Sequence, residues 1–192
     1  MKMKLKIFLI TFLFLLTCSL LCWNISNKPK SFNEELYEIG SSESALPCER
    51  MYYLIETYSD SFSVPKYIAY GVAYKETRYR GPLDTLYNPF LTSCAGAVGA
   101  MQIMPRYASY FAGKKVTKHE LMHDLETNVW LSMKILSQHY SKYKNWSTAC
   151  GAYNTGQPVL NKYAKFCGNN LNFVKHWVNL DSSKTRFFLA EL

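Results

Sequence analysis

Apolar residues recur at intervals of three and four along most of the chain, which is the spacing of one face of a helix. The pattern is clearest at Val129, Met133, Leu136, Tyr140 and Tyr143, and it predicts an amphipathic helix there. No segment alternates strictly between apolar and polar residues for long enough to predict a strand. The sequence therefore predicts an all-α fold, with little or no sheet.

Further helices are predicted from the same spacing combined with start and stop signals. Pro65 suits the first turn of a helix, where its missing amide hydrogen is not needed. Thr117 and Glu120 have the spacing of a capping box, which predicts a short helix start. The predicted helices cover residues 47–59, 65–80, a short stretch from Pro105, 117–124, a stretch from Trp146 to about Tyr153, 159–166, 171–178 and 183–192.

The first 23 residues differ from the rest of the chain. Lys2, Lys4 and Lys6 precede an uncharged and largely apolar run from Ile7 to Trp23, which is the pattern of an export signal. The run is at the short end of the roughly 17 to 25 residues that span a bilayer, so a retained anchor at 7–23 is the alternative to cleavage. We expect residues 1–23 to be a leader, 24–44 a polar linker and 45–192 one domain, exported to the periplasm or cell envelope.

The composition is basic, with a formal net charge of +8. A basic surface suits any polyanionic partner, including nucleic acid, anionic lipid and cell-wall polymer. The positive residues are spread along the chain instead of forming one block, which argues against a nucleic-acid-binding arm.

Four cysteines follow the leader, at Cys48, Cys94, Cys150 and Cys167. An even number in an exported chain indicates disulfides, and the sequence leaves three pairings open, as well as four buried thiols. We favour Cys150 with Cys167, because that bridge would close one loop around Tyr153 and would stabilise the fold by about 3 kcal/mol.

The segment from His119 to His123 matches the H-E-x-x-H pattern of zinc peptidases. It lies at a helix start, Glu120 is already the capping partner of Thr117, and no third ligand has a recognised spacing. We therefore predict two surface histidines and no metal or other cofactor.

Glu76 is the strongest candidate for chemistry. It follows Val72 by four residues and Ile68 by eight, so it continues the apolar face of its helix. Burial disfavours the charged form, which would let Glu76 donate a proton near neutral pH. The alternative is a helix-end residue that pairs with Arg78 or Arg80.

Four segments in order resemble one enzyme family. They are Glu76-Thr77, the run Gly-Ala-Val-Gly-Ala-Met-Gln-Ile-Met-Pro at 96–105, the segment 121–140 with Asp124 and Glu126-Thr127-Asn128, and Ala-Tyr-Asn-Thr-Gly at 152–156. These resemble the motifs of the family 1 lytic transglycosylases of the soluble lytic transglycosylase (SLT) type, which belong to the lysozyme-like superfamily. The resemblance spans roughly residues 62–188.

The resemblance implies a helical domain around a cleft that binds peptidoglycan glycan strands. It implies cleavage of the β-1,4 bond between N-acetylmuramic acid and N-acetylglucosamine by Glu76, as acid and then base, to leave 1,6-anhydro ends. A trans-envelope secretion or conjugation apparatus is a further candidate partner. The substrate-binding residues that it implies are Thr77, Met101, Gln102, Tyr153 and Asn154.

The chain departs from the family pattern at three places. Thr77 replaces a Ser, and Phe188 stands where the family tends to have a Tyr. The segment between Arg80 and Ala95 is longer than the family's connection, so Asp84 could act as a second carboxylate in a water-using muramidase. A wall-binding module without catalysis is the non-enzymatic alternative.

Overall fold

The computed structural model of the chain describes residues 30–169, and these residues form eight α-helices. The described part contains no β-strand, only isolated bridges that join Val98 to Thr92 and to Ile103. The all-α prediction is therefore confirmed. The helices are α1 Phe32–Ser41, α2 Pro47–Ser61, α3 Lys66–Thr77, α4 Pro105–Ala112, α5 Lys118–His123, α6 Leu125–Tyr143, α7 Trp146–Thr155 and α8 Lys162–Asn169.

Helix α6 lies at the centre and contacts α2, α4, α5 and α7. The residues that predicted its apolar face behave as expected, because Val129, Met133 and Leu136 are fully buried. Burying one such side chain contributes about 1.5–3 kcal/mol relative to leaving it exposed. Helix α6 therefore supports elements that carry residues of the candidate site, including α7.

Helix α3 is buried along almost its whole length and contacts α2, α7 and α8. Pro65 is its N-cap residue, and Arg78 ends it in a left-handed conformation with φ 61°. The helix is therefore three residues shorter at its C-terminus than the predicted 65–80. Gly71 permits close approach of α8, since a Cβ on this residue would lie 3.3 Å from the Cα of Cys167.

The predicted linker at 24–44 is wrong where it overlaps α1. This helix packs on α2, with Leu36 buried and the rings of Tyr37 and Tyr53 4.7 Å apart. Its own apolar residues are few, so most of its stability comes from this docking and its periodicity is weak. The leader, the helices predicted at 171–178 and 183–192, and Phe188 lie outside the described residues.

The other predicted helices are confirmed with shifted ends. Helix α8 begins at Lys162 instead of residue 159, because the Oδ1 atom of Asn161 accepts a hydrogen bond from the Ala164 amide at 2.8 Å and so caps the helix. Within residues 30–169, every helix is too short or too polar to cross a bilayer.

Candidate active site

Glu76 lies in the last turn of α3 and is half-buried. Burial raises the pKa of its carboxyl to about 7, although a hydrogen bond from Tyr163 acts in the opposite direction. The Tyr163 hydroxyl donates to Oε1 at 2.5 Å. Glu76 is therefore close to half protonated at neutral pH, so it can both donate and accept a proton.

No cation pairs with Glu76 among the described residues, and the ion pairs found there include Arg50–Glu126, Lys66–Glu56 and Lys66–Asp60. The arginine partners considered from sequence do not reach it: the Arg78 guanidinium lies over the Tyr74 ring, 5.2 Å from its centroid, and Arg80 is exposed. The structure thus favours a proton-transfer role for Glu76 over a role in a salt bridge at the helix end.

Asp84, the candidate second carboxylate, lies in the loop after α3. Its charge contributes to raising the pKa of Tyr87 and of Cys48, whereas the pKa of Glu76 responds to burial and to Tyr163. Asp84 therefore acts on a different set of groups from Glu76. This placement gives no support to a two-carboxylate site.

The glycine-rich segment forms a tight turn in which the backbones of Val98 and Ile103 exchange two hydrogen bonds of 3.0 Å. Gly99 has φ +81°, and a Cβ there would lie 2.2 Å from the Nδ2 atom of Asn128, so both the conformation and the space require glycine. Gln102 has φ 49°, and its Nε2 atom donates to the carbonyls of Gly99 at 2.8 Å and Leu91 at 3.0 Å. Gln102 thus stabilises the turn, and its Oε1 atom has no hydrogen-bond partner among the described residues.

Asn128 on α6 holds this turn in place, a role that the sequence did not reveal. It is 1% exposed. Its Nδ2 atom donates to the carbonyls of Val98 and Leu121 at 3.1 and 2.8 Å, and its Oδ1 atom accepts from the Met101 amide at 2.8 Å. A polar residue on the buried face of a helix was the available signal, since such a residue needs internal partners.

Two of the predicted substrate-binding residues are internal. The Thr77 hydroxyl donates to the Ala100 carbonyl at 2.7 Å and is 2.9 Å from the Tyr87 hydroxyl, so it joins α3 to the turn instead of holding the Glu76 carboxylate. Met101 is fully buried and belongs to the core, so its side chain does not form a wall of a cleft. For both residues the direct contact with sugar predicted from the resemblance does not fit the structure.

Tyr153 and Asn154 end α7. The Tyr153 hydroxyl donates to the Met101 carbonyl at 2.7 Å and is 3.0 Å from the Ser132 hydroxyl, so Tyr153 ties α7 to the turn beside Glu76. Asn154 is exposed, and its Oδ1 atom accepts from Asn161 at 3.2 Å. Asn154 thus fixes the connection between α7 and α8.

Tyr163 was not identified from the sequence. It is half-buried on α8, and burial together with the Glu76 charge raises its own pKa well above its usual range. Its hydroxyl therefore stays protonated and remains a donor to Glu76. No local pattern marks it, because the partner of the hydroxyl depends on how α8 packs against α3.

The H-E-x-x-H segment lies within α5. Thr117 and Glu120 form the predicted capping box, and the rings of the exposed His119 and His123 lie 4.7 Å apart. No group of three or more potential metal ligands occurs in residues 30–169. Glu120 therefore has the helix-capping role expected for it.

The favoured disulfide is not formed in this structure, where Cys48, Cys94, Cys150 and Cys167 are free thiols. Cys94 is exposed and the other three are buried. The two cysteines of the favoured pair are nevertheless neighbours: a hydrogen bond with Cys150, and burial, raise the pKa of Cys167 well above its usual range.

Comparison with known proteins gives one family and one fold. The model of the transglycosylase SLT domain matches residues 53–170. No curated protein matches the chain. A structure of the 70-kDa soluble lytic transglycosylase in complex with bulgecin A is similar over 73% of this chain and 25% of that chain, with 21% sequence identity and a TM-score of 0.50.

A structure of the 70-kDa soluble lytic transglycosylase from Escherichia coli also matches, with 21% identity over 80% of this chain, 29% of that chain, and a TM-score of 0.45. The chain spans only about a quarter of these larger proteins, so the structural likeness concerns the fold alone. The family match covers more than half of the chain, including Glu76, the turn and α7. The chain belongs to the transglycosylase SLT domain family.

Proposed function

We propose that this protein is a peptidoglycan lytic transglycosylase in which Glu76 is the catalytic residue. The observation that carries the proposal is a half-buried carboxyl without a cationic partner among the described residues, with its pKa raised to about 7. A group with that pKa loses and regains a proton easily at the pH of the cell envelope. Membership of the SLT domain family supports the substrate class.

The proposed reaction needs a single carboxyl group. Protonated Glu76 gives its proton to the glycosidic oxygen, so the bond to C1 of N-acetylmuramic acid breaks and the N-acetylglucosamine product leaves with a free 4-hydroxyl. The acetamido oxygen of the same sugar stabilises C1. Glu76, now a carboxylate, removes the proton from the C6 hydroxyl while O6 bonds to C1, which restores the acid and consumes no water.

Two amides are the proposed sugar contacts among the residues predicted from sequence. The Oε1 atom of Gln102 can accept from a hydroxyl or an acetamido N–H group, because Nε2 is used within the turn. The exposed Asn154 can donate through Nδ2, because Oδ1 accepts from Asn161. Thr77, Met101 and Tyr153 support the site from the interior.

Digestion of purified peptidoglycan tests this function. We expect muropeptides that end in 1,6-anhydro-muramic acid, each one water lighter than the product of hydrolysis, as measured by mass spectrometry. Products with reducing ends would replace the proposal with a water-using muramidase. Wall binding without any product, in a folded protein, would replace it with a binding module.

We further propose export to the cell envelope, where a protein disulfide donor oxidises Cys150 and Cys167. The two thiols lose two protons and two electrons, and the disulfide of the donor becomes two thiols. Of the four cysteines that follow residues 1–23, alkylation under denaturing conditions should therefore label Cys48 and Cys94 in protein isolated from the envelope, and all four after reduction. Labelling of all four without reduction would contradict the bridge. The trans-envelope apparatus stays a prediction.

A further inference from the structure

Glu76 has one hydrogen-bond donor among the described side chains, and that donor comes from a distant part of the chain. The Tyr163 hydroxyl donates to Oε1 at 2.5 Å. No described side chain donates to Oε2. Oε1 is thus hydrogen-bonded to the protein, whereas Oε2 accepts no hydrogen bond from a described side chain.

The position of Tyr163 is fixed by direct packing of its helix on the helix that carries Glu76. On α8, Ala164 and Cys167 are fully buried, and the Cys167 backbone lies against Gly71 of α3. Phe166 stacks on Tyr74 of α3, with ring centroids 5.7 Å apart. These contacts join α8 directly to α3, and α8 also packs on α7, so the hydroxyl is held close to the carboxyl by the packing of its helix.

The other contacts of this interface add to its rigidity. The Nζ atom of Lys75 lies 4.1 Å from the centroid of the Phe166 ring, and the cap by Asn161 sets the start of α8. A side chain that is held in this way loses little conformational freedom when it forms its hydrogen bond, since the freedom is already lost on folding.

We propose that Tyr163 is a positioning residue for Glu76, which holds Oε1 so that the transferable proton resides on Oε2. This inference rests on the proposed function, because it concerns the proton that Glu76 gives to the glycosidic oxygen. The hydrogen bond also becomes stronger as the carboxylate forms, since a charged acceptor binds a donor more tightly than a neutral one. Tyr163 thereby stabilises the state that follows proton transfer.

The hydrogen bond from Tyr163 is the main polar interaction of Glu76 with the described residues. The titratable groups that sense Glu76 from the packed helices are Tyr153 on α7 and Tyr163 and Cys167 on α8. All three have raised pKa values and are neutral at pH 7. Lys75, on α3, is a cation that acts on one of them, because its charge lowers the pKa of Cys167.

The test is Tyr163→Phe in the full chain, which removes the hydroxyl and keeps the ring. We expect kcat to fall by about tenfold, which is less than the roughly 10²–10⁴-fold expected for loss of the acid–base group itself, with a smaller change in KM. The hydrogen bond lowers the pKa of Glu76, so its loss should move the alkaline limb of the pH–rate profile to higher pH. Carbon-13 NMR of labelled glutamate should show the same upward shift for the Glu76 carboxyl, without any need for activity.

Tyr70→Phe is the matched control. The Tyr70 hydroxyl donates to the Oε1 atom of Glu56 at 2.7 Å, so this variant also removes a hydrogen bond from a tyrosine to a carboxylate, but away from the site. We expect it to lower the melting temperature and leave the pH–rate profile unchanged.

Where Tyr163→Phe does not fold, fluorotyrosine at position 163 replaces it. A more acidic hydroxyl should strengthen the hydrogen bond and lower the pKa of Glu76.

The outcomes separate this inference from the proposed function. An unchanged Glu76 titration in Tyr163→Phe or in the fluorotyrosine protein would overturn the positioning role, even if the enzyme is a transglycosylase. Unchanged turnover in Glu76→Gln would overturn the proposed function, whereas the NMR titration would still report on the hydrogen bond.

Discussion

Glu56 and Glu76 each accept a hydrogen bond from a tyrosine, and they differ in one further partner. Glu56 on α2 accepts from Tyr70 at Oε1, at 2.7 Å, and its Oε2 atom forms an ion pair with Lys66. Glu76 on α3 accepts from Tyr163 at Oε1, at 2.5 Å, and forms no ion pair with a described residue. Glu56 is thus held at both oxygens, whereas Glu76 is held at one.

The difference shows how the fold distinguishes a carboxylate that has a structural role from one that can transfer a proton. An adjacent cation stabilises the ionised form of a partly buried carboxylate and offsets the cost of its desolvation. Without a cation, desolvation dominates, and the pKa of Glu76 rises to about 7. The absence of a lysine or arginine partner for Glu76 among residues 30–169 is therefore as important to its chemistry as the tyrosine that contacts it.

The largest expected effect compares Glu76→Gln with Glu56→Gln in turnover of peptidoglycan. Loss of the acid and base should reduce kcat by about 10²–10⁴-fold, because glutamine cannot transfer a proton. Glu56→Gln should keep kcat close to that of the wild type at a temperature where it is folded, since Glu56 lies in the Lys66 ion pair. Release of soluble muropeptides over time measures both.

This comparison would fail if the two variants lost turnover equally. That result would mean that Glu76 acts through the stability of the domain and has no chemical role. Circular dichroism of each variant at the assay temperature is the control, because it separates unfolded protein from folded protein that has lost its acid.

The sequence predicted the helices well where burial follows local periodicity. Helix α6 has three fully buried residues at the predicted positions, and the capping box at Thr117 is formed. Helix α1 was missed, since its stability depends on docking against α2 and its own apolar residues are few. Local pattern thus predicts an element when the element's own face forms the core, and fails when a neighbour provides most of the contact.

The site was predicted only in part, for the same physical reason. Glu76 followed from its place on a buried face, where burial raises its pKa. The role of Tyr163 depends on the packing of α8 against α3, which no local pattern encodes. The hydroxyl of Thr77 and the side chain of Met101 are internal, so their resemblance to a family motif identified parts of the scaffold of the site and not sugar contacts.

A smaller effect, in stability, should have opposite signs for the two glutamates. The pKa of Glu76 is about 7 in the folded protein, whereas the ordinary value for a glutamate is 4.5, so between these values folding binds a proton and stability falls as pH rises. At 1.36 kcal/mol per pKa unit, Glu76→Gln should be more stable than the wild type at pH 8 by up to about 3 kcal/mol, and the difference should disappear below about pH 4.5.

Glu56→Gln should instead be less stable at pH 8, by about 1–3 kcal/mol, because it leaves the partly buried Lys66 without its partner. Urea unfolding at pH 4 and pH 8 measures both differences, and Lys66→Met, which breaks the same ion pair from the other side, should also destabilise at pH 8. A loss of stability in Glu76→Gln at pH 8 would contradict the claim that the ionised Glu76 carboxylate has no stabilising partner, since it would mean that such a partner exists.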